Sequence, residues 1–199
     1  MHEPVLLKEV IKYLEPEPGD VVVDGTANGG GHMRAILPHI LPGGKYIAVD
    51  WDKEVVDKLL GEFRKSEYRP NVIFVNNNYK NIPTILKKFS IPFADKIFLD
   101  LGFSSFHVEE SGRGFSFQKN EPLLMTYSAD ERPVHEWLER LSEKQLGEII
   151  RQFGEERYAS RIASAIKRSL PILTSRRLSE VVVGALPRGY ERGRIHPAT

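Results

Sequence analysis

The sequence predicts an α/β fold: about four parallel strands in the order 3-2-1-4, half of a doubly wound sheet, followed by a helical segment. Three observations carry this expectation. Val21-Val22-Val23 is a short, wholly apolar, β-branched run of the kind that fills a buried parallel strand. It ends in Asp24, passes through a turn containing Gly25, Gly29, Gly30 and Gly31, and opens a helix at His32. A second such run, Lys45 to Asp50 (K-Y-I-A-V-D), follows at the spacing of a βαβ unit and again ends in an acid. From Val134 onward the strand signals stop and apolar residues recur at helical spacing.

In chain order, Pro4 to Leu14 carries Leu6, Leu7, Val10, Ile11 and Leu14 as one apolar stripe, with Pro16, Pro18 and Gly19 as the stop. This first helix is expected to pack beside the glycine turn, its stripe serving the core. Pro42-Gly43-Gly44 turns the chain into the second strand. Asp52 to Lys65 reads as an amphipathic helix with Val55, Val56, Leu59, Leu60 and Phe63 inward and Asp52 as its N-cap. Val72 to Asn76 is the third strand, Ile82 to Phe89 a further helix, and Lys96 to Gly102 (K-I-F-L-D-L-G) the fourth strand. Phe103 to Met125 has no lasting period and is expected to form a long irregular loop, the sort of segment that carries function. Helices are then expected over 134–141, 142–153, 155–169 and 174–186. Ser142 with Gln145 forms a capping box, and Thr174 is a further N-cap. Val181-Val182-Val183 could supply a strand, but its context reads helical.

Composition narrows the function classes. At 199 residues with 41% hydrophobic residues, one domain or one domain plus an appendage is expected. The absence of cysteine removes disulfides, thiol nucleophiles and Cys-type zinc sites, and six scattered His leave no expected metal site. No eighteen-residue apolar window occurs and the chain begins M-H-E-P, so neither a membrane span nor a signal peptide is expected, and the cytoplasm is the expected compartment. The net charge of +1 is unevenly placed: Arg151 to Thr199 holds ten basic residues, nine of them Arg, against four acidic ones. Arginine suits phosphate forks and base stacking, so nucleic-acid contact is one reading and a solvated helical face the other.

The glycine turn matches neither G-x-G-x-x-G, which is broken at Ala27, nor the phosphate-binding P-loop, which needs a Lys after its glycines. An acid closing the first strand before a loose glycine loop suits a cationic, amino-acid-bearing nucleoside, S-adenosylmethionine; the alternative is a glycine turn with no ligand. Asp24 is then a cofactor residue. Asp50, at the tip of the second strand, can accept both ribose hydroxyls of an adenosine. Tyr79, in the loop after the third strand, can lie against the base or belong to the core. Asp100 closes the fourth strand, where parallel sheets place ligands and chemistry.

These stretches resemble the bacterial 16S ribosomal RNA cytosine-N4 methyltransferase family, the MraW or RsmH type. The matching segments are H-E-P-V-L-L, D-G-T-A-N-G-G-G-H, the strand ending A-V-D, L-D-L-G-F-S-S, R-G-F-S-F, F-G-E-E-R-Y-A-S-R-I-A-S-A-I and R-I-H-P-A-T, in family order over nearly the whole chain. The resemblance implies a Rossmann-like class I S-adenosylmethionine-dependent methyltransferase fold over 1–117, with a basic, RNA-binding helical segment over 118–199. It carries cofactor contacts onto Gly30, Gly31, His32, Asp50, Tyr79, Asp100 and His107. Tyr79 stands where the family usually has Phe, His107 where it has Gln, and Asn28 where it has Gly; Asn tolerates a positive φ. The family's P-L-D-M-R-M-D reads P-L-L-M-T-Y-S here, at Pro122 to Ser128.

The activity so implied is methyl transfer to an exocyclic base amine, cytosine N4 of ribosomal RNA or of another RNA such as tRNA. Asp100, Ser104 and Ser105 are the candidates to orient the amine and accept its hydrogen; alternatively Asp100 only orients the cofactor. A base taken from its stack would lie against Phe103, Phe106 or Phe115. Arg113, Arg157, Arg161, Arg176 and Arg177 would hold RNA phosphates. The chain stops where family members re-enter the catalytic domain, which leaves the fourth strand an apolar edge. Either a second copy, giving a homodimer, or the inserted helices are expected to cover it. The rival readings are a shortened paralogue that binds RNA or cofactor without turnover, and a fragment of a longer protein.

Overall fold

A computed structural model describes residues 4–187 and 189–190. His2 and Glu3 of the opening motif, Arg188, Arg192, Arg194 and the closing R-I-H-P-A-T lie outside the described residues. The chain divides into two compact units, with the boundary after Ser104.

The first unit is a Rossmann-like α/β layer structure. Its elements are α1 (Leu7–Leu14), β1 (Val21–Asp24), α2 (Gly31–Ile40), β2 (Lys45–Asp50), α3 (Lys53–Phe63), β3 (Val72–Asn76), α4 (Ile82–Lys88) and β4 (Lys96–Phe98), with single 3₁₀ turns at Arg69–Asn71 and Tyr79–Asn81. The four strands are parallel in the order β3-β2-β1-β4, as right-handed crossovers require. Val22 pairs with Tyr46 and with Lys96, and Tyr46 pairs with Val72. Side chains alternate between faces. Val23, Ile47 and Val49 therefore meet Ile82, Ile85 and Ile91 on one side. On the other side Phe74 packs edge-on to Phe63 of α3, at 5.7 Å between ring centroids, and α2 packs against β2. Burial of both faces is the reason β1 and β2 read as continuous apolar runs.

Local signals set most element ends. The Asp52 side chain accepts from Glu54 N and caps α3. Asn28 takes φ +43°, so the turn survives without glycine there. Other expectations give way to packing. The β4 ladder stops at Phe98, because β1 ends at Asp24 and offers no further backbone to pair with; Leu99 to Gly102 continue as irregular chain. No residue of α1 is fully buried, so its apolar stripe is a half-covered face rather than core. The expected contact of this segment with the glycine turn is made by Pro4, against which a Cβ on Gly31 would collide at 2.7 Å. Leu60 faces outward at 39% exposure.

The second unit is helical: α5 (Ser105–Glu109), α6 (Val134–Arg140), α7 (Glu143–Gly154), α8 (Ala159–Arg168) and α9 (Ser175–Ala185). The short α5 interrupts the stretch expected to be irregular. Leu123, Leu146, Ile162, Ile166, Ile172 and Val182 lie at its core. The Ser142–Gln145 capping box is formed in both directions, and Thr174 accepts from Arg177 N. Val181 to Val183 are helical, within α9. Lys167 Nζ donates to the carbonyls of Leu138, Glu139 and Leu141, at 2.9, 3.0 and 2.9 Å, a cation on the C-terminal end of α6. No helix among the described residues is long and apolar enough to cross a membrane.

Candidate functional site

The carboxyl ends of β1, β2 and β4 converge on the loop 24–31, and backbone hydrogen bonds tie that loop to both neighbours. Gly25 N donates to Phe98 O at 3.0 Å, and Ala27 N to Val49 O at 3.0 Å. A glycine is required at 25, since a Cβ there would stand 2.4 Å from Leu99 Cδ2 and 2.9 Å from Tyr79 Cβ. Tyr79 is thereby fixed at the mouth of the loop, with its ring partly exposed.

Asp50 closes β2 and is 7% exposed. Its Oδ2 accepts from Asn28 N and its Oδ1 from Asp52 N, each at 2.9 Å. A carboxylate oxygen accepts more than one hydrogen bond, so a group that anchors the loop can also receive a hydroxyl. Asn76, which the sequence reading passed over, donates from Nδ2 to Asp50 O and Trp51 O at 3.1 and 2.9 Å and braces the turn after β2.

Asp24 lies beneath the loop, 1% exposed. Its Oδ1 accepts from Thr26 N at 3.0 Å and Thr26 Oγ1 at 3.3 Å, and its Oδ2 accepts from Tyr46 Oη at 2.8 Å. Burial pushes its pKa up to about 6. The Thr26 amide and the Tyr46 hydroxyl oppose that shift, as does His32, while the charge of Asp50 adds to it; desolvation prevails. Burial beside Asp24 likewise raises the Tyr46 phenol well above its ordinary value. Thr26 and Tyr46 escaped the sequence reading. Parity along paired strands was the available signal: Asp24 faces the same side as Val22, and Val22 is in register with Tyr46.

Gly30, at φ +71°, is the N-cap of α2 and makes no side-chain cap bond. Gly30, Gly31 and His32 thus form a helix N-terminus built of backbone amides, the geometry suited to a carboxylate or phosphate. The His32 ring is turned inward, with Nε2 3.0 Å from Val5 O and its plane tilted against Phe98 at 4.6 Å between centroids. Half-buried Asp100 receives its backbone restraint from Thr26, whose Oγ1 accepts from Asp100 N at 2.7 Å. Asp24, Asp50 and Asp100 are therefore drawn onto one loop through Thr26 and Asn28. Phe103 stands 60% exposed and Ser104 is half-buried.

In the second unit, Ser105 opens α5. His107 is 2% exposed, ringed by Phe106, Phe115 and Tyr127 at 5.6, 5.4 and 4.9 Å between centroids. Arg113 Nη1 donates to the carbonyls of Thr126 and Tyr127 at 3.2 and 3.4 Å, so it staples the loop that carries P-L-L-M-T-Y-S. The four remaining arginines are exposed. Arg157 lies 4.8 and 5.3 Å from the ring centroids of Tyr158 and Tyr190. Arg161 follows one turn on, on a face of α8 opposite the buried Ala159, Ile162 and Ile166. Arg176 Nη2 donates to Gln118 O at 3.2 Å, and Arg177 pairs with Glu180 at 3.2 Å.

Comparison with known proteins adds a family match: the MraW methylase family, over residues 1–199. The ribosomal RNA small subunit methyltransferase H of Syntrophotalea carbinolica is 39% identical over 202 residues, covering 100% of this chain and 64% of that protein. The protein of the same name from Dictyoglomus thermophilum is 44% identical over 168 residues, 83% of this chain and 56% of that one. The one from Geotalea uraniireducens is 39% identical over 202 residues, 100% and 64%. The chain thus spans 64% or less of the length of these relatives.

Proposed function

The chain belongs to the MraW methylase family, and on that premise we propose that it is an S-adenosylmethionine-dependent RNA methyltransferase acting on an exocyclic base amine. Cytosine N4 of ribosomal RNA is the favoured target, or the same atom in another RNA such as tRNA. The observation that carries this reading is the loop 24–31, pinned by Asp50 on one side and by Thr26 and Asp100 on the other. Asp50 would receive the ribose hydroxyls, Tyr79 would lie along the adenine, Asp100 would face the cofactor from just beyond β4, and the Gly30–His32 amides would take the methionine carboxylate. Asp24 shapes that loop from beneath. The cofactor would supply an electrophilic sulfonium methyl to the amine nitrogen, the carbon–sulfur pair going to sulfur and the proton shed by the amine to Asp100 or water.

The amine becomes acidic as its new bond forms, so the protein needs to orient it and accept a hydrogen bond from it rather than act as a strong base. Asp100, with Ser104 and Ser105 next along the chain, is assigned that task, and Phe103 and Phe115 offer faces for an unstacked base. The family resemblance carries a further cofactor role onto His107 of the second unit. Arg113, which also staples its loop, would hold RNA phosphates together with Arg157, Arg161, Arg176 and Arg177.

Calorimetry with S-adenosylmethionine tests the cofactor half, with micromolar binding expected; no binding would overturn it. RNA binding should weaken with salt. Replacing Arg157, Arg161, Arg176 and Arg177 by Ala should make the log–log slope shallower by about 3 on single-stranded RNA. An unchanged slope would leave these arginines as a solvated face. Binding of both ligands with no methyl transfer to any RNA would favour the non-catalytic paralogue.

A homodimer is part of this proposal. β4 pairs with β1 on one edge, and Ile97 within it is 53% exposed, an apolar edge that proteins normally cover. A second copy pairing along β4 would bury it. Light scattering should report a dimer that Ile97→Lys converts to monomer; a wild-type monomer would remove the dimer from the proposal.

A further inference from the structure

We propose that Thr26 is a positioning residue for the segment after β4: its hydroxyl holds the Asp100 backbone, and through it the Asp100 carboxylate, in the attitude that cofactor binding requires. This inference rests on the reading of Asp100 as a cofactor-facing group.

Thr26 Oγ1 lies 2.7 Å from Asp100 N and 3.3 Å from Asp24 Oδ1. One arrangement of protons satisfies both contacts. The Asp100 amide can only donate, so Oγ1 accepts from it, and the hydroxyl proton is then directed at the Asp24 carboxylate. Asp24 is itself immobilised by the Thr26 amide at 3.0 Å and the Tyr46 hydroxyl at 2.8 Å. A continuous line of hydrogen bonds therefore runs from Tyr46 on β2, through Asp24 at the end of β1, to the chain just beyond β4.

The position of this line gives it its role. The β1–β4 ladder ends at the pair Asp24 and Phe98, with Gly25 N still reaching Phe98 O. Past that point Leu99, Leu101 and Phe103 are exposed. A side-chain oxygen on β1's loop takes the place of the carbonyl that a longer ladder would present to Asp100. The glycine at 25 has no side chain that could do this. A hydroxyl at 26 is thus the group that carries sheet geometry onto Asp100.

The test compares Thr26→Val, which keeps the shape and removes the hydroxyl, with Thr26→Ser, which keeps the hydroxyl. S-adenosylmethionine is the probe. Loss of one restraining hydrogen bond should weaken binding about tenfold in Thr26→Val, while Thr26→Ser stays within about twofold of wild type. A second cycle separates positioning from a general loss of stability. In an Asp100→Asn background, Thr26→Val should cost less than about twofold, because the group it positions has already lost its charge. Unchanged binding in Thr26→Val, or a full additional loss in the Asp100→Asn background, would overturn the proposal. A wild-type chain that binds no S-adenosylmethionine would remove the reading underneath. Hydrogen exchange at the Asp100 amide then decides positioning alone: slow in wild type and fast in Thr26→Val supports it, and equal rates overturn it.

Discussion

Asp50→Ala should abolish measurable S-adenosylmethionine binding and also destabilise the first unit. Both effects follow from the two tasks of one carboxylate. Asp50 Oδ2 holds Asn28 N and Oδ1 holds Asp52 N, both at 2.9 Å, in a group only 7% exposed. Truncation leaves two amide donors without their charged acceptor, and hydrogen bonds to charged groups contribute about 1.5–3 kcal/mol each. A net loss of about 2–4 kcal/mol is expected, less than the sum because the half-buried Asn28 amide, beside exposed Gly29, can reach water. The glycine loop would lose its tie to β2 at the same time as the ribose acceptor disappears. Denaturant unfolding and calorimetry on the same preparation measure the two consequences. Retained binding in a destabilised variant would mean that Asp50 is a loop anchor alone.

Asp24→Asn should remove a pH dependence of stability that wild type shows in mild acid. The Asp24 pKa is about 6 in the fold against 3.8 in an unfolded chain, chiefly through burial. Between about pH 4 and 6 the unfolded chain gives up this proton while the folded one keeps it. The folded state therefore binds more protons, and stability falls as pH rises, levelling off above about 6. The change amounts to about 3 kcal/mol in full, of which about 2 kcal/mol falls within that window. Asparagine has no such titration, so the difference in unfolding free energy between variant and wild type should shift by about 2.4 kcal/mol in the variant's favour from pH 4 to 7. The absolute offset is smaller. Asn keeps an acceptor for Thr26 but must turn an amide N–H toward Tyr46, whose hydroxyl proton then loses its acceptor. Parallel curves for the two proteins would show that burial does not govern this carboxyl. Electrostatically, His32 lowers and Asp50 raises the Asp24 pKa.

Much of the architecture was legible because it is written in short-range pattern. Two apolar β-branched runs at βαβ spacing, each closed by an acid, were enough to place the strands and their order, and the observed sheet is β3-β2-β1-β4. Caps were legible for the same reason: Asp52, Ser142 with Gln145, and Thr174 each act on amides two or three residues away. The tolerance of Asn28 for a positive φ is likewise a property of one residue.

Where a second segment had to be known, pattern was insufficient. K-I-F-L-D-L-G reads as one long strand, yet its ladder ends at Phe98, because a strand lasts only as long as its neighbour. Leu60 belongs to an apolar stripe but looks outward, since the width of the covered face depends on what packs there. Arg113 reads as a phosphate ligand, and only the fold shows that its Nη1 also donates to the carbonyls of Thr126 and Tyr127.

The sharpest contrast is between the three aspartates, two at strand tips and Asp100 two residues beyond the end of β4. Their chemistry and their places at the carboxyl ends of strands follow from sequence periodicity alone. Their orientations do not. Asp24 turns under the loop onto Tyr46, Asp50 ties the loop to β2, and Asp100 is reached through Thr26. The cause is strand register: a parallel pair brings Val22 level with Tyr46 across twenty-four residues of chain, and a one-residue slip would turn Tyr46 to the other face. Hydrophobic period says that a strand exists; the register of its pairing decides which polar atoms it joins.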